Sequence, residues 1–326
     1  MLICTAVSAE RDAVLGGLCS CKDIESTSER AVPGLVLQRV TVARGQVIGD
    51  VLETGVGSVR AAVGAAVALT TASIAKEPYD LVISAGIAGG FPGTLPVGAV
   101  AVADEIVAAD LGAESGDGFI LLEDLGYGLS RYHPPRPLCR KVAEVLNAIS
   151  GTVLTVSTIT GSSSSAQDLS IRHPGVAAEA MEGFGVATAA CAFNVPALEI
   201  RSAANIVGDR DHAAWRIDDA LQKLSAAFER LASFLLSSAN LLRHVSQAKT
   251  GIHVGMSKYD LPYQTRAMPG GFDETGARER VFLTFIKESA IMLGGQRPSV
   301  RIPIEYARAM SAARLVTLNL RSITPT

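Results

Sequence analysis

Aromatic residues are scarce in this 326-residue sequence, at 5%, and its five cysteines show no spacing typical of a metal site. Cys19 and Cys21 are separated by one residue rather than two, which does not match a CxxC pair. No apolar run approaches the roughly 18–20 residues of a membrane-spanning helix. The N-terminus has no basic segment before its apolar run, so we expect no signal peptide. These absences predict free thiols, no metal, no membrane partner and a soluble protein of the cytoplasm.

The composition favours a large α/β domain. Hydrophobic residues make up 48% of the chain, and Ala, Val, Leu and Gly dominate, as in proteins with buried strands. The net charge of −3 gives no basic character that would call for nucleic acid. The charge is uneven, since residues 1–248 carry 18 Lys and Arg against 26 Asp and Glu, and residues 249–326 carry 11 against 6. We therefore place a boundary near 245–250.

Residues 1–245 read as strands alternating with helices, which predicts one α/β domain. We expect strands at 1–7, 35–43, 47–52, 81–84, 97–108, 152–156 and 197–203. We expect helices at 8–18 with Ser8 as N-cap, and at 58–75, 137–149, 185–192 and 218–242. Residues 20–34, 85–90 and 111–135 are predicted to be loops or turns. Residues 246–326 show weak periodicity and no chemical motif, so we expect a disordered or loosely packed extension of unassigned role.

The segment 178–211 collects the polar residues with the most chemical potential. Glu182 heads a helix that is otherwise made of small and apolar residues, so its carboxylate needs a partner or a ligand. The strand 197–203 leads to Asn205 and then Asp211, and ligands of α/β sheets collect where strands end. Glu10, taken alone, is more typical of a solvated carboxylate in the first turn of a helix. Asn205 fits a turn or cap as well as it fits a ligand contact.

Two glycine segments follow predicted strands. Gly55 and Gly57 precede the helix at 58–75, and Gly86, Gly89 and Gly90 follow the strand at 81–84. Such turns free backbone N–H groups for anions or sugar oxygens. Neither segment matches a complete nucleotide-binding pattern, so tight packing and ligand approach remain equally open.

Taken together, the order of these motifs resembles the purine nucleoside phosphorylase and methylthioadenosine nucleosidase superfamily over residues 1–243. Glu10, GVGS at 55–58, SAGIAGG at 84–90, EAME at 179–182 and RSAAN at 201–205 carry the resemblance. It implies a three-layer fold with a central mixed, twisted sheet between helices. Within the superfamily, VSTITG at 156–161 and NIVGDRD at 205–211 with Trp215 are similar to the futalosine hydrolases. That branch implies release of hypoxanthine from futalosine, leaving dehypoxanthine futalosine, in the alternative menaquinone pathway.

The resemblance implies roles on the sugar side of the substrate. Glu182 would accept hydrogen bonds from the ribose hydroxyls, and Met181 would lie against the sugar face. Glu10 would orient or deprotonate the attacking water. Gly86 and Ile87 would lie beside the sugar, where some relatives carry a hydroxyl in place of Ile87.

On the base side, the resemblance places Ser157 and Thr158 beside the purine. Asn205 stands where the methylthioadenosine nucleosidases have an Asp that reads adenine. An Asn amide has two N–H donors and no titratable proton, which matches the acceptors O6 and N7 of hypoxanthine. Asp211 or a water molecule would then protonate the departing base.

Other functions stay open at this point. A phosphorylase for 6-oxopurine nucleosides would need arginines for phosphate, and Arg44 and Arg60 are candidates without a recognisable partner. A methylthioadenosine-type nucleosidase is a further alternative. A non-catalytic nucleoside-binding module would not need both Glu10 and Glu182. The resemblance implies a purine nucleoside substrate, no cofactor and a homo-oligomer.

Overall fold

The computed structural model of the chain describes residues 1–42, 46–116 and 118–237. The strands are β1 (Leu2–Thr5), β2 (Ile24–Val32), β3 (Leu35–Val42), β4 (Gln46–Glu53), β5 (Val82–Gly90), β6 (Val100–Ala108), β7 (Gly112–Ser115), β8 (Gly118–Leu121), β9 (Arg131–Tyr132), β10 (Ile149–Thr155), β11 (Val176–Ala180) and β12 (Ala197–Ile206). The helices are α1 (Ser8–Cys19), α2 (Ser58–Ile74), α3 (Arg136–Leu146), α4 (Ser163–Arg172), α5 (Gly183–Ala192) and α6 (Ile217–Ser237). The predicted extension 246–326 and the turn around Arg44 lie outside the described residues.

Ten strands of the described chain form one mixed sheet, and β7 and β8 form a separate hairpin. The order of the sheet is β11-β10-β6-β12-β5-β1-β4-β3-β2, with β9 paired to β6. Strands β4, β1, β5 and β12 are parallel neighbours. Strand β11 also pairs with the end of β5, in the antiparallel direction. The carboxyl ends of β1, β5, β11 and β12 therefore meet at one place.

Side chains that alternate along β1 pack into two different cores. Leu2 and Cys4 join a cluster with buried residues of α2 and α5. Ile3 joins a second cluster with buried residues of α1, α3 and α6. Successive side chains of a strand point to opposite faces of the sheet, so helices cover both faces. The three-layer α/β fold with a mixed sheet is confirmed.

Several sequence predictions need correction. Residues 20–34 contain strand β2, which lies at the edge of the sheet and has mostly polar side chains. It therefore lacks the alternation of apolar and polar residues by which a half-buried strand is predicted. Residues 85–90 continue strand β5 rather than forming a turn. Residues 111–135 contain β7, β8 and β9, and the sequence analysis missed α4 and β11 altogether. Ser8 is the first residue of α1 and not its N-cap, a position that Val7 occupies without a side-chain hydrogen bond.

Candidate active site

A cavity of about 230 Å³ opens where these strand ends meet. Most of its lining residues lie at or just after the carboxyl ends of β1, β5, β11 and β12. Glu10 of α1, Ile159 and Thr160 after β10, and Trp215 after a short 3₁₀ helix also line it. The polar side chains of the lining are Glu10, Thr160, Glu179, Glu182 and Asn205. The remaining lining residues include Met181 and Ile87, as expected from the sequence.

Glu10 lies at one wall of the cavity and is almost completely buried. Its Oε2 accepts hydrogen bonds from the backbone N–H groups of Ala6 (2.9 Å) and Val7 (3.3 Å), because α1 begins directly after β1. Its Oε1 accepts a bond of 2.8 Å from the N–H of Ile87 on β5. Burial raises the pKa of Glu10 above its usual range, although Arg201 and these N–H groups oppose the rise. The carboxylate is therefore rigidly held and more basic than one in water.

Glu182 reaches the same cavity from the residue that immediately precedes α5. Its Oε1 accepts a hydrogen bond of 3.1 Å from the backbone N–H of Gly57. Its Oε2 lies 3.2 Å from Nη2 of Arg201 and accepts a bond of 3.3 Å from the N–H of Met181. The partner that the Glu182 carboxylate needs in its apolar surroundings is thus the buried Arg201, which was not predicted as its partner.

Arg201 is the centre of the buried charge, with 1% of its surface exposed. Its Nε donates to Oε1 of Glu199 at 2.8 Å, its Nη2 donates to Oγ of Ser84 at 3.0 Å, and its Nη1 donates to the carbonyl of Ile87 at 3.5 Å. Burial acts to lower the pKa of Arg201, but the negative charges of Glu199, Glu182 and Glu10 outweigh it and raise that pKa. The guanidinium stays charged.

Glu199 is the second charged residue of the site, after Arg201, for which no role was predicted from the sequence. It is fully buried, and burial raises the pKa of its carboxyl to about 7 against the opposing charge of Arg201. A signal was present, because the buried strand β12 carries two charged side chains, two residues apart, within an apolar run. Two residues of a strand at this spacing lie on one face, which favours an ion pair.

Gly86 leaves room for the charged side chains of Glu10 and Arg201 to approach each other. A carbon atom added at its Cβ position would lie 2.4 Å from Oε1 of Glu10 and 2.6 Å from Nη1 of Arg201. Gly86 therefore leaves the space that both side chains occupy. Gly86 itself does not line the cavity, contrary to its predicted place beside the sugar, whereas its neighbour Ile87 does.

The expected base-binding strand end is shifted by two residues. Ser157 and Thr158 are exposed and do not line the cavity, whereas Ile159 and Thr160 do. The N–H of Ser157 donates to Oδ2 of Asp110 at 2.6 Å.

Thr160 is hydrogen-bonded to Glu179, a buried residue of the cavity lining for which no role was predicted. The N–H of Thr160 donates to Oε1 of Glu179 at 2.9 Å, and its hydroxyl donates to Oε2. Burial raises the pKa of Glu179, and both hydrogen bonds oppose the rise. The contact joins the segment after β10 to the end of β11.

Asn205 lines the cavity at the end of β12, but one N–H of its amide is already hydrogen-bonded within the protein. Its Nδ2 donates one hydrogen bond, of 3.0 Å, to the carbonyl of Ile206. The expectation that both N–H groups point to the base therefore needs a correction: one N–H and the carbonyl oxygen remain. Asp211 is exposed and does not line the cavity. Its Oδ1 accepts a bond of 3.0 Å from the N–H of Ala213 and caps the 3₁₀ helix.

The remaining candidates from the sequence are the two arginines that were considered for phosphate binding. Arg60 lies over Gly55, with its Nε 3.0 Å from a carbon built at that Cβ position. Arg44, the other candidate for phosphate, lies outside the described residues. Among the residues that the structure describes, no group of three or more His, Cys, Asp or Glu side chains could hold a metal ion. No described helix is long and apolar enough to span a membrane.

Comparisons with known proteins agree on one family. The sequence model of the Phosphorylase superfamily matches residues 12–239. Futalosine hydrolase of Streptomyces coelicolor is 51% identical over 237 residues, which cover 73% of this chain and 97% of that protein. Futalosine hydrolase of Acidothermus cellulolyticus is 41% identical over 237 residues, covering 71% and 90%. The solved futalosine hydrolase of Helicobacter pylori, at 20% identity, has a TM-score of 0.58 over 73% of this chain and 97% of that one, which supports the fold.

Proposed function

Since this chain belongs to the futalosine hydrolase family of the Phosphorylase superfamily, we propose that the cavity beside Glu10 and Glu182 is where it hydrolyses the N-glycosidic bond of futalosine. The chain is an N-ribosyl hydrolase. The observation that carries the assignment of the site is that two buried carboxylates, Glu10 and Glu182, line one cavity, and that Glu182 is paired at 3.2 Å with the buried guanidinium of Arg201, which does not line it. Buried charges of this kind are costly unless they are paired or used.

Glu10 is suited to hold the attacking water. A carboxylate offers about four lone-pair sites, and three of those on Glu10 are occupied by backbone N–H groups. The free site is on Oε1. A water bound there would donate a proton to a carboxylate whose pKa is raised by burial, and a more basic carboxylate is a better general base.

Glu182 is suited to hold the ribose. Its Oε1 accepts one hydrogen bond, from Gly57, and keeps a lone-pair site for a sugar hydroxyl, while its Oε2 accepts from Met181 and forms an ion pair with Arg201. As the bond to the base breaks, the sugar develops the positive charge of an oxocarbenium ion. Glu182 and Glu10 place fixed negative charge around it, and Arg201 keeps the two carboxylates from repelling each other. Charge fixed in advance around the transition state is often the largest contribution to catalysis.

We further propose that the released base is hypoxanthine. With its bond to Ile206 kept, the Asn205 amide offers one N–H donor to O6 or N7, both of which are acceptors. The side chain has no titratable proton, so a water molecule would protonate the departing base. Asp211 fits that role less well, because its carboxylate is exposed and caps a 3₁₀ helix.

A homo-oligomer also remains a proposal. It is supported by apolar side chains on the surface of α2, where Val59, Val63 and Ile74 are more than half exposed. Action in menaquinone synthesis remains a prediction from the sequence resemblance, and location in the cytoplasm remains a prediction from the composition and the N-terminal sequence.

One experiment tests the substrate and the nucleophile together. The purified protein is incubated with futalosine, inosine, adenosine and methylthioadenosine, with and without phosphate, and the products are identified by chromatography. We expect hypoxanthine from futalosine at a rate that is independent of phosphate. Base release that requires phosphate and yields a sugar phosphate would instead establish a phosphorylase. Release of adenine from methylthioadenosine with no reaction of futalosine would reject the proposed substrate.

A further inference from the structure

We propose that Glu199, which does not line the cavity, is a positioning residue for the hydrolysis: it holds the Arg201 guanidinium in the orientation from which Arg201 supports Glu182 and Glu10. The inference rests on the proposed function, because it assigns a role within the same site. It goes beyond the groups that face the substrate, since Glu199 is fully buried beneath them.

The first observation is the division of the Arg201 nitrogens among their partners. Nη2 reaches Glu182 at 3.2 Å and the Ser84 hydroxyl at 3.0 Å. The Nε–H donates at 2.8 Å to Glu199, which does not line the cavity. A guanidinium is a planar fork with fixed donor directions, so the bond at Nε fixes where the two terminal nitrogens point.

The second observation is that Glu199 also contacts the segment that carries Glu182. A carbon atom added at Gly183 would lie 2.0 Å from Oε2 of Glu199 and 2.3 Å from its Cδ. The carboxylate therefore lies directly against the first residue of α5. A negative charge near the N-terminus of a helix is favourable. Glu199 thus touches both the arginine and the backbone that positions the ribose-binding carboxylate.

The third observation is that only one of the two carboxylate oxygens of Glu199, Oε1, has a hydrogen-bond partner within the described part of the chain. Its Oε2 has no hydrogen-bond partner within the described part of the chain. An oxygen buried in this way is normally avoided. A purely structural residue at this place could be apolar, since burying an ion pair adds little stability compared with well-packed apolar side chains. The carboxylate therefore has a reason to be present other than packing.

The charges that act on Glu199 are Arg201 of the same strand and Glu182 ahead of α5. Strand β5 contributes the neutral Ser84 to the same cluster. Burial disfavours the charged carboxylate and the charge of Glu182 adds to that effect, so Glu199 takes up a proton near neutral pH, at a pKa of about 7, although Arg201 opposes the rise. Protonation removes the charge that binds Nε, which couples the position of Arg201 to pH.

The test compares Glu199→Leu and Glu199→Gln with Asp50→Asn as a matched control. Asp50 is also fully buried and paired with an arginine, Arg39, at 2.8 Å, but it lies level with Leu2, at the start of β1, away from the cavity. Glu199→Leu should lose on the order of 10²-fold in kcat with a smaller change in KM. Glu199→Gln keeps an acceptor for Nε and should lose less than about tenfold. Asp50→Asn should lose stability and keep its kcat.

The pH profile gives a readout that a purely structural role would not move. In the wild type, protonation of Glu199 weakens its bond to Nε, so log(kcat/KM) should show a step of less than about tenfold centred near pH 7, in addition to the loss that follows protonation of Glu10. In Glu199→Gln the step near pH 7 should be absent. A profile for Glu199→Gln that superimposes on that of the wild type would overturn the proposal, and this holds even if Glu199→Leu fails to fold. An equal loss of kcat in Asp50→Asn at matched stability would overturn it as well.

Different results would reject the proposed function and the proposed role of Glu199. If the wild type releases no base from futalosine, that function is rejected before any variant is compared. If the wild type is active and the folded Glu199→Leu protein turns over within about threefold of it, only the role of Glu199 is rejected.

Discussion

The substitution Gly86→Ala offers a demanding test of the site, because it adds one methyl group between its two most important charges. That carbon would lie 2.4 Å from Oε1 of Glu10 and 2.6 Å from Nη1 of Arg201. Carbon atoms in contact normally stay about 3.5–4.0 Å from their neighbours. Each charged group would therefore have to move by about 1 Å. Gly86 does not adopt a positive φ, so the backbone accepts alanine and the effect arises from crowding alone.

The expected magnitude follows from what the displaced groups hold. Moving Oε1 by this distance breaks its 2.8 Å bond to the N–H of Ile87 and removes the free lone-pair site proposed for water. A misplacement of about 1 Å can reduce the rate on the order of 10²-fold, which corresponds to about 3 kcal/mol in the activation free energy. Overpacking of a core also costs about 1–3 kcal/mol of stability, so activity must be measured well below the melting temperature.

Gly16→Ala on α1 is the matched control. The same methyl group would there meet its nearest neighbour, Oγ of Ser225, at an ordinary 3.6 Å. We expect full activity and a gain of about 0.5–1 kcal/mol in stability, since glycine is unfavourable inside a helix. The assay is initial-rate release of hypoxanthine from futalosine, with circular dichroism to show that each protein is folded. If folded Gly86→Ala keeps its kcat/KM within about threefold of the wild type, the proposed placement of water on Glu10 is refuted.

Four further predictions concern single features. Glu10→Gln should lose on the order of 10²–10⁴-fold in kcat while remaining folded; near-normal turnover would remove Glu10 from catalysis. Asn205→Asp should raise the ratio of kcat/KM for adenine over hypoxanthine nucleosides, by up to about a hundredfold, and an unchanged ratio would mean that the base is read elsewhere. Because the pKa of Glu199 is raised to about 7, its contribution to stability is present in acid and lost as pH rises from about 4.5 through 7. Denaturant unfolding should therefore show the wild type losing up to about 3 kcal/mol relative to Glu199→Gln over that range. A chain ending near Ser246 should stay soluble and active, since the family match ends at residue 239; loss of folding would place the extension in the core.

Sequence alone was sufficient for elements whose signal is local. The apolar stripe of α6 and the small-residue helix α2 are both present in the structure. Glu182 could be singled out because it heads an otherwise apolar helix, and Glu10 because of the family resemblance, and the structure brings both to one cavity. The missed strands β2 and β7 have mostly polar, exposed side chains, so they lack the alternation that marks a half-buried strand.

The buried ion pair was missed for a different reason. Glu199 and Arg201 lie in a strand that reads as apolar, and the other partners of Arg201 come from two distant places in the chain: Ser84 and Ile87 on β5, and Glu182 directly before α5. The two-residue spacing of Glu199 and Arg201 indicates their own ion pair, but no local pattern indicates the partners from elsewhere in the chain. The cluster exists because β12 and β5 are parallel neighbours in the sheet, which is a property of the topology.

The same cluster decides how the glycine segments should be understood. Glycines after strands often leave backbone N–H groups free for a ligand, and the sequence left that open here. In the structure, Gly86 and Gly183 instead make room for carboxylates of the protein itself, Glu10 and Glu199. The N–H of Gly57 is likewise used by a protein carboxylate, Glu182. These positions are therefore occupied by the enzyme's own negative charges, an arrangement that favours a cationic transition state and disfavours a phosphate ion in the same place.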